Sequence, residues 1–415
     1  MFLQGQWQER GTVAEVIHPY DGAVLDTVPV GAPEDISAAL DGLEQGVALM
    51  RTLPTHRRVE ILRRTAQLMA EQQEDLARLI SREEGKVLAE GRIEAGRAME
   101  TLDLSADAAR DLHGETVPLD ATPGGVGKLG FTLRVPCGIV AAITPFNFPL
   151  NLVAHKIGPA IAGGNAVLLK PASDTPLSAL KLVELLLEAG LPEEAIACVT
   201  GPGGELGEAI CADARVRKIS FTGSAEVGEA ITRAAGLKRV TMELGSNSPV
   251  IVLDDADVAK VARTLAVTGY ANAGQVCISS QRVIATPGAH ADLLDALRTE
   301  VQQLVAGDPL AEGTQVGPLI RERDAARVET WLGEAVTQGA ELLCGGSREG
   351  TVVQPALLAN VAPGMKLSCE ELFGPALGVT RVPDLEAAIA LANETRFGLS
   401  AAVFTQDIDL SLIHI

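Results

Sequence analysis

The chain has 415 residues, 47% of them hydrophobic and only 3% aromatic, with a formal net charge of −20. This length predicts two or three domains around a large aliphatic core. The negative charge argues against a nucleic-acid partner, because phosphate backbones would repel the chain. The six cysteines include no Cys-x-x-Cys pair and no histidine at metal-ligand spacing, so no metal site is predicted. Scattered cysteines fit a reducing compartment, so a cytoplasmic protein is expected.

No segment of the sequence has the pattern of a membrane span or a signal peptide. Met1 to Arg10 lack a basic region followed by an apolar core. The longest uncharged stretch, 135–155, contains three prolines, which makes it a poor membrane helix. No membrane partner is therefore predicted.

The N-terminal third changes character twice along the chain. Residues up to about Val30 are predicted to form short edge strands, which the turn signal at 19–22 interrupts. Pro33 and the acidic residues after it begin a helical region that continues, with breaks, to about Asp111. The glycine-rich segment 113–135 then predicts a hairpin or an extended arm.

From Gly138 onward, apolar strands alternate with helices. Strands are predicted at 138–143, 165–170, 196–199, 218–221 and 239–243, and helices at 151–162, 178–189, 205–212 and 225–235. Continuous apolar strands separated by helices are typical of a parallel sheet covered on both faces. The pattern predicts an α/β, Rossmann-like nucleotide fold. A second alternating set, beginning at 249–253, predicts a second α/β domain.

A single thiol lies on a connection between two predicted elements. Cys277 follows a helix-like stretch, 257–272, and precedes a strand-like one, 282–285. Reactive groups are common on such connections, and a thiolate beside a base and an oxyanion donor is a strong nucleophile. Most free cysteines are instead small buried apolar residues, so the residue alone leaves both interpretations open.

Four predicted strand ends carry polar or small residues that could do chemistry, each with an ordinary structural alternative. Glu243 could be a partly desolvated general base or one half of an ion pair. Asn147 could donate to an oxyanion or simply form a turn. Lys170 could bind a ribose or lie exposed at its strand end. Gly223 and Ser224 could bind a pyrophosphate at a helix N-terminus or form only a tight strand–helix turn.

Six motifs occur in one order along the chain. They are Thr144-Pro-Phe-Asn-Phe-Pro149, Lys170-Pro-Ala-Ser173, Phe221-Thr-Gly-Ser224, Glu243-Leu-Gly245, Gly274-Gln-Val-Cys277 and Glu370-Glu-Leu-Phe-Gly-Pro375. Together they closely resemble the NAD(P)-dependent aldehyde dehydrogenase superfamily, from Met1 to about Asp409. The overall similarity leans toward lactaldehyde, glyceraldehyde-3-phosphate and succinate-semialdehyde dehydrogenases.

The resemblance implies a domain organisation. A Rossmann-like NAD(P)-binding domain is expected to take in 1–112 and 136–245, with a β-hairpin oligomerisation arm at 113–135. A second α/β domain, the catalytic one, is expected at 246–409. The intact parent would be a homodimer or homotetramer.

The resemblance also implies a catalytic set. Cys277 would attack the aldehyde, while the amide of Asn147 and the backbone N–H of the cysteine hold the oxyanion. Hydride would pass to the nicotinamide and leave a thioester. Glu243 would then activate the water that releases the acid, and Lys156 would relay protons.

The cofactor contacts follow from the same resemblance. Lys170 matches a contact to the adenosine ribose, and Gly223 and Ser224 match the pyrophosphate turn. Glu371 matches a ligand of the nicotinamide ribose, and Phe373 packs near that ring. The expected cofactor set also includes Thr144, Pro145, Phe146, Ser173 and Leu244.

Three departures from the family pattern modify these expectations. Ser173 stands where strictly NAD-preferring relatives often carry a glutamate, so NADP is admissible as well as NAD. Ser246-Asn247 replaces a common Gly-Lys pair, and no substrate follows from it. The family usually continues beyond Asp409, whereas 410–415 matches the translation of a transposon end used in sequencing libraries. A C-terminal truncation with an artefactual tail is therefore expected.

Two other functions remain as alternatives. Relatives that transfer the acyl group to coenzyme A commonly lack the carboxylate matching Glu243, so its presence favours hydrolysis to the acid. A truncated chain could also bind the cofactor without catalysing a reaction.

Overall fold

The computed structural model describes residues 1–412, which divide into two compact units. The first unit comprises 1–16, 26–77 and 92–243, and the second comprises 17–25, 78–91 and the chain from 244 onward. The functional assignment of the predicted domains stays a prediction. Of the predicted tail 410–415, residues 413–415 lie outside the described residues.

Strands and helices alternate in the first part of the chain from about residue 139. Up to Glu243 the elements are β1 (Phe2–Leu3), β2 (Gln6–Trp7), β3 (Val13–Ile17), β4 (Val24–Pro29), α1 (Pro33–Thr52), α2 (Thr55–Glu71), α3 (Gln73–Glu84), α4 (Leu88–Arg110), β5 (Thr116–Val117), β6 (Gly130–Phe131), β7 (Ile139–Ile143), α5 (Asn151–Ala162), β8 (Ala166–Lys170), α6 (Leu177–Glu188), β9 (Ile196–Cys198), α7 (Gly203–Ala212), β10 (Val216–Thr222), α8 (Ala225–Ala235) and β11 (Arg239–Glu243).

The central sheet of the first unit has the order β11-β10-β7-β8-β9-β1-β2. Its five members from β7 to β11 run parallel, while β1 pairs antiparallel with β9 and β2. Every residue of β7 and β8 is buried, as expected of strands covered on both faces. The predicted α/β parallel-sheet fold is confirmed.

A short antiparallel ribbon lies within the segment predicted as a hairpin or arm. Thr116 pairs with Phe131 and Val117 with Gly130. The ribbon leaves large apolar side chains in solvent, since Phe131 is 62% exposed. The structure thus has the predicted hairpin, and its role in oligomerisation stays a prediction.

The second part of the chain builds another α/β unit. Its elements are β12 (Pro249–Val252), α9 (Val258–Thr268), β13 (Arg282–Ala285), α10 (Pro287–Val301), α11 (Glu322–Thr337), β14 (Glu341–Cys344), β15 (Arg348–Glu349), β16 (Val352–Val353), β17 (Ala356–Ala359), α12 (Lys366–Cys369), β18 (Ala376–Arg381), α13 (Leu385–Asn393), β19 (Ala402–Phe404) and α14 (Ile408–Leu412). The sheet order is β14-β17-β18-β13-β12-β19, and only β14 in it pairs antiparallel.

Alternate residues of β12 pack into two separate apolar clusters. Val250 and Val252 pack with side chains of α9, α10 and α11, whereas Ile251 packs with Ala388 and Leu391 of α13. Because successive strand residues point to opposite faces, this sheet is covered on both sides.

One predicted element ends early. The helix-like stretch 257–272 forms α9 only to Thr268, and a 3₁₀ turn follows at Ala271–Gly274. Asn272 and Ala273 have φ values of 49° and 54°, which a right-handed helix cannot accommodate.

Candidate active site

The predicted polar residues of the first unit lie at the carboxyl ends of its parallel strands. Strand order reverses between β7 and β10, because β8 and β9 extend to one side and β11 to the other. Ligands of parallel α/β sheets bind outside the carboxyl ends of the strands at such a switch point. The predicted residues of this unit all follow these strand ends or lie on α5.

The turn after β7 carries the first predicted motif. Thr144 donates its backbone N–H to the carbonyl of Lys170 at 3.2 Å, which joins the ends of β7 and β8. The hydroxyl oxygen of Thr144 is buried and has no hydrogen-bond partner among residues 1–412. Pro145 and Phe146 are half-buried, and Asn147 is buried at 3% exposure. A buried hydroxyl without a partner is expected where a polar ligand binds.

Glu94 fixes the start of α5, a role that the sequence interpretation missed. Its carboxylate is buried and accepts hydrogen bonds from the backbone N–H groups of Leu150 and Asn151, at 2.9 and 3.1 Å. The first N–H groups of a helix lack intrahelical acceptors and favour a negative charge. Glu94 therefore orients the helix that carries Lys156, and its distance of 56 residues along the chain from Leu150 explains the omission.

Lys156 lies on the inner face of α5 with its ammonium against β10. The ammonium donates to the hydroxyl of Thr222 at 2.7 Å and to that of Ser220 at 3.4 Å. Burial lowers the pKa of Lys156 to about 8, although the charge of Glu243 opposes this shift. A lysine with such a pKa exchanges protons readily near neutral pH.

Glu243 is the last residue of β11, where its backbone carbonyl accepts the N–H of Gly223 at 3.1 Å. The sequence interpretation expected a partly desolvated carboxylate, but Glu243 is exposed. The reason is its strand, because β11 is the edge strand of the sheet and lacks a neighbour on one side. The carboxylate nevertheless lies within electrostatic range of Lys156.

Lys170, at the end of β8, is buried rather than exposed. Its ammonium donates to the carbonyl of Pro171 at 2.9 Å. Burial lowers the pKa of Lys170 to about 8, with Asp174 and Cys198 partly opposing the shift. Because an ammonium has three donor positions, it can bind the oxygen atoms of a ligand in addition to the carbonyl of Pro171.

Ser173 follows Lys170 and is tied to the next strand-end loop. Its hydroxyl donates to the carbonyl of Gly201 at 2.8 Å. Both residues line a cavity of about 210 Å³ that also takes in Thr200 and Pro202. The residues that line this cavity include no carboxylate.

Gly223 and Ser224 lie where the sequence places them, between β10 and α8. Ser224 caps the helix, and its hydroxyl accepts the backbone N–H of Val227 at 3.4 Å. The other N–H groups of the first turn point out of the helix end, which favours an anion.

Cys277 of the second unit lies on a turn between Gly274 and β13, as predicted, and is half-buried. Cys198 of the first unit shows the opposite environment, inside strand β9 with complete burial that raises its pKa to about 12. A buried strand thiol is inert, whereas a partly exposed thiol on a turn can react.

Backbone and side-chain contacts fix the loop that leads to Cys277. Glu84 and Glu90 accept hydrogen bonds from Asn272, and Gln275 accepts the backbone N–H of Ile320 at 2.9 Å. Gln275 also donates to the carbonyl of Asn272 at 3.2 Å. Gln275 belongs to the motif Gly274-Gln-Val-Cys277, whereas Glu84 and Glu90 were not singled out from the sequence.

The segment that carries Glu371 and Phe373 is anchored to the same loop. Gln281 accepts the backbone N–H of Leu372 at 2.7 Å and donates to the carbonyl of Glu370 at 2.7 Å. A Cβ added to Gly274 would lie 2.1 Å from the carbonyl oxygen of Gly374, so the two backbones are in direct contact.

Glu371 and Phe373 have well-defined local surroundings within the second unit. Glu371 accepts the backbone N–H of Ser246 at 3.2 Å, two residues after Leu244. Phe373 has a φ of 50°, a left-handed conformation that is uncommon for a large side chain. Leu244 is half-buried.

The described residues contain neither a candidate metal centre nor a candidate membrane span. No group of three or more histidine, cysteine or acidic side chains there could hold a metal ion. No helix in that part of the chain is long and apolar enough to cross a membrane.

The chain is similar to proteins of known family. The model of the aldehyde dehydrogenase family matches residues 7–412. The 3-sulfolactaldehyde dehydrogenase of Priestia megaterium is 40% identical over 412 residues, which cover 99% of this chain and 86% of that protein. The NADP⁺-type succinate-semialdehyde dehydrogenase of Escherichia coli is 38% identical, covering 98% of this chain and 85% of its own length.

Solved structures agree with these relatives. The NADP-dependent glyceraldehyde-3-phosphate dehydrogenase of Bacillus halodurans, complexed with NADP, superimposes with a TM-score of 0.97. It is 36% identical, with 99% of this chain and 87% of that chain covered. The fold is thus that of NAD(P)-dependent oxidoreductases that act on aldehydes. The chain belongs to the aldehyde dehydrogenase family. The predicted C-terminal truncation stays a prediction.

Proposed function

We propose that Cys277 is the nucleophile with which this enzyme oxidises a small aldehyde to its carboxylic acid, and that Glu243 activates the water that releases the acid. The observation that carries the proposal is that the charge of Glu243 acts on the buried ammonium of Lys156, at the carboxyl end of the first unit's sheet. A carboxylate needs an outlet for the proton it takes from water, and a lysine with a pKa of about 8 provides one.

The chemistry divides among the chain's own groups. The thiolate of Cys277 adds to the aldehyde carbon, and the side-chain amide of Asn147 stabilises the oxyanion that forms. Such a donor contributes about 3 to 4 kcal/mol to lowering the barrier. The nicotinamide ring, when bound, supplies the acceptor for the hydride whose loss leaves Cys277 as a thioester. Water that has lost a proton to Glu243 then displaces the thiolate and forms the acid.

The first unit fits the cofactor that this chemistry requires. The hydroxyl of Thr144 is buried without a partner in residues 1–412, and Lys170, whose ammonium is also buried, ends the neighbouring strand β8. We assign Lys170 to the adenosine ribose, and Gly223 and Ser224 to the pyrophosphate. The rest of the proposed cofactor set is Pro145, Phe146, Ser173, Leu244, Glu371 and Phe373.

NADP is the proposed cofactor alongside NAD. A 2′-phosphate adds negative charge next to the ribose, and Ser173 is neutral at this position. The 210 Å³ cavity beside Ser173 has no acidic residue in its wall. The succinate-semialdehyde relative is named for NADP⁺ and the glyceraldehyde-3-phosphate relative was solved with NADP.

An assay of NAD(P)H formation tests the proposal. The panel contains 3-sulfolactaldehyde, succinate semialdehyde, glyceraldehyde 3-phosphate and lactaldehyde, each with NAD or NADP and with or without coenzyme A. Turnover without coenzyme A is expected for at least one aldehyde. In Glu243→Gln, steady turnover falls roughly 10²- to 10⁴-fold, while one equivalent of NAD(P)H still forms rapidly because acylation of Cys277 does not need the base.

A matched control for Glu243→Gln is Glu229→Gln on α8, an equally acidic and exposed position. It should leave both the first turnover and the steady rate unchanged. Strict dependence on coenzyme A would favour acyl transfer over hydrolysis, and no turnover with any aldehyde would overturn the proposal.

We also propose that the ribbon at 113–135 pairs copies of the chain into a dimer or tetramer in the cytoplasm. The support is the apolar surface it leaves in solvent, since Leu129 is 83% and Val135 is 76% exposed. Contiguous apolar surface of this kind marks an interaction site. Light scattering of the protein with Leu129→Ser and Phe131→Ser should show a smaller species than the parent.

A further inference from the structure

We propose that Glu84, the last residue of α3, and Glu90, in the first turn of α4, are positioning residues for the Cys277 nucleophile. They act by holding Asn272 and Ala273 in a left-handed conformation, which sets the path of the chain to Cys277. The inference rests on the proposed role of Cys277. It concerns contacts that lie wholly within the second unit.

The backbone ahead of Cys277 is left-handed over three consecutive residues. Asn272, Ala273 and Gly274 have φ values of 49°, 54° and 72°. Glycine adopts such values freely and asparagine tolerates them, but alanine is disfavoured because its Cβ crowds the backbone. Residues persist in such regions only when the surrounding structure holds them there.

Two carboxylates supply that restraint at Asn272. Glu84 accepts the side-chain amide of Asn272 at 2.9 Å, and Glu90 accepts its backbone N–H with both oxygens at 3.0 and 3.2 Å. Glu84 is fully buried and Asn272 is only 4% exposed. Hydrogen bonds to an ionised acceptor are about twice as strong as neutral ones, and burial strengthens them further.

The segment between Glu84 and Glu90 is itself fixed to the rest of the second unit. Gly85 has a φ of 91°, and a Cβ there would lie 2.8 Å from the ring of Pro318. Leu88 donates its backbone N–H to the carbonyl of Pro309 at 2.9 Å. The carboxylates therefore project from a rigid support.

The same support reaches the loop a second time, nearer to Cys277. Gln275 is buried and donates to the carbonyl of Pro318 at 3.5 Å. It also accepts the backbone N–H of Ile320 at 2.9 Å. The chain from Asn272 to Gln275 is thus held at both ends, which leaves Val276 and Cys277 little freedom of direction.

Holding the nucleophile in this way has a kinetic consequence. Displacing a reacting atom by about 1 Å can lower the rate roughly 10²-fold. Loss of the restraint should therefore lower kcat more than it raises KM, because the binding surface for the aldehyde remains. It should also change the rate at which the Cys277 thiol reacts with a small alkylating agent.

The test compares the full-length protein with Asn272→Ala, which removes the amide bound by Glu84 and disfavours the left-handed backbone. We expect kcat to fall roughly 10²-fold. The alkylation of Cys277 by iodoacetamide, followed by mass spectrometry from pH 6 to pH 10, should show a changed rate and midpoint. The milder Glu90→Gln, which keeps an oxygen acceptor but loses the charge, should lower kcat about fivefold.

Asn360→Ala is a matched control. Asn360 is also left-handed, with a φ of 57°, but it is exposed at the end of β17. It should lose similar thermal stability while keeping kcat and the alkylation profile of Cys277. If Asn272→Ala behaves in the same way as this control, its role is structural only and the proposal is overturned.

Exchanging the amide and the carboxylate between positions 272 and 84 should restore kcat. Asn272→Asp combined with Glu84→Gln keeps a hydrogen bond between the two positions and reverses its direction. We expect the pair to recover most of the kcat that Asn272→Asp loses alone by placing two carboxylates together. Alkylation does not require aldehyde turnover, so its response separates failure of this inference from failure of the proposed function.

Discussion

The two sets of proposed site residues are held in different ways. In the first unit, Asn147, Lys170 and Glu243 follow regular parallel strands, and backbone hydrogen bonds between strand ends align them. In the second unit, Cys277 follows a left-handed turn that carboxylates from a distant segment hold in place. A strand end positions a side chain through the sheet, whereas the turn depends on a few polar contacts.

This difference suits the proposed division of labour. A cofactor is recognised along much of its length, so many strand ends can each contribute a contact. A nucleophile must present one atom to one carbon in a single direction, which requires a specific local path of the backbone. Substitutions at the strand ends should therefore alter one interaction each, while those at the turn should alter the reactivity of Cys277 itself.

The largest expected effect comes from removing the thiol. Cys277→Ala should lower aldehyde oxidation roughly 10⁴- to 10⁶-fold, because the covalent route is lost. Binding of NADP, measured by calorimetry, should be unchanged, since the proposed adenosine-ribose and pyrophosphate contacts do not involve the thiol of Cys277. Cys344→Ala, another half-buried cysteine of the second unit, is the control and should retain activity. Full activity of Cys277→Ala would mean that neither Cys277 nor the turn that carries it takes part in the reaction.

The next effect concerns the oxyanion donor on the strand-end side. Asn147→Ala should lower kcat roughly 10²- to 10³-fold with little change in KM, because the oxyanion exists only after the thiol has added. The alkylation rate of Cys277 should stay the same, in contrast to Asn272→Ala. Stopped-flow measurement of the first turnover separates the chemical step from product release, and an unchanged first turnover would contradict the assigned role.

A third expected effect is a pH dependence of stability from Lys156. Burial lowers the pKa of Lys156 from 10.5 to about 8 in the folded state. Between these values the unfolded chain binds the proton more tightly, so the free energy of unfolding should rise with pH. The rise relative to Lys156→Met should be roughly 2 to 3 kcal/mol between pH 8 and pH 10.

Urea unfolding of both proteins across this pH range measures that difference. Lys170→Met is a second case with the same sign, since burial also lowers the pKa of Lys170 to about 8. Lys181→Met, at a half-buried lysine paired with Glu184 on α6, is the control, and its free energy of unfolding relative to the parent should not vary with pH. If the difference in the free energy of unfolding between the parent and Lys156→Met also did not vary with pH, the ammonium of Lys156 would not be desolvated in the folded protein.

The sequence predicts the strand-end half of the site well and the turn poorly. Helix 151–162 and strand 239–243 have the predicted bounds, because apolar periodicity and helix signals are local. The left-handed path at Asn272 could not be predicted, since Glu84 lies 188 residues away along the chain. The exposure of Glu243 depends on which strand lies at the sheet edge, and a sequence of alternating elements does not specify that order.

The smallest expected effect tests the cofactor side alone. Ser173→Glu introduces a carboxylate at the wall of the 210 Å³ cavity, next to Lys170. The carboxylate should repel a 2′-phosphate, so we expect kcat/KM for NADP to fall about tenfold relative to that for NAD.

Because the hydroxyl of Ser173 also donates to the carbonyl of Gly201, Ser173→Gln is the matched control, with similar size and no charge. Only Ser173→Glu should change the ratio of kcat/KM for NADP to kcat/KM for NAD. Neither Ser173→Glu nor Ser173→Gln should change the alkylation rate of Cys277. If Ser173→Glu changed both the ratio of kcat/KM values and the alkylation rate of Cys277, the strand-end residues and the turn at Cys277 would not be held independently.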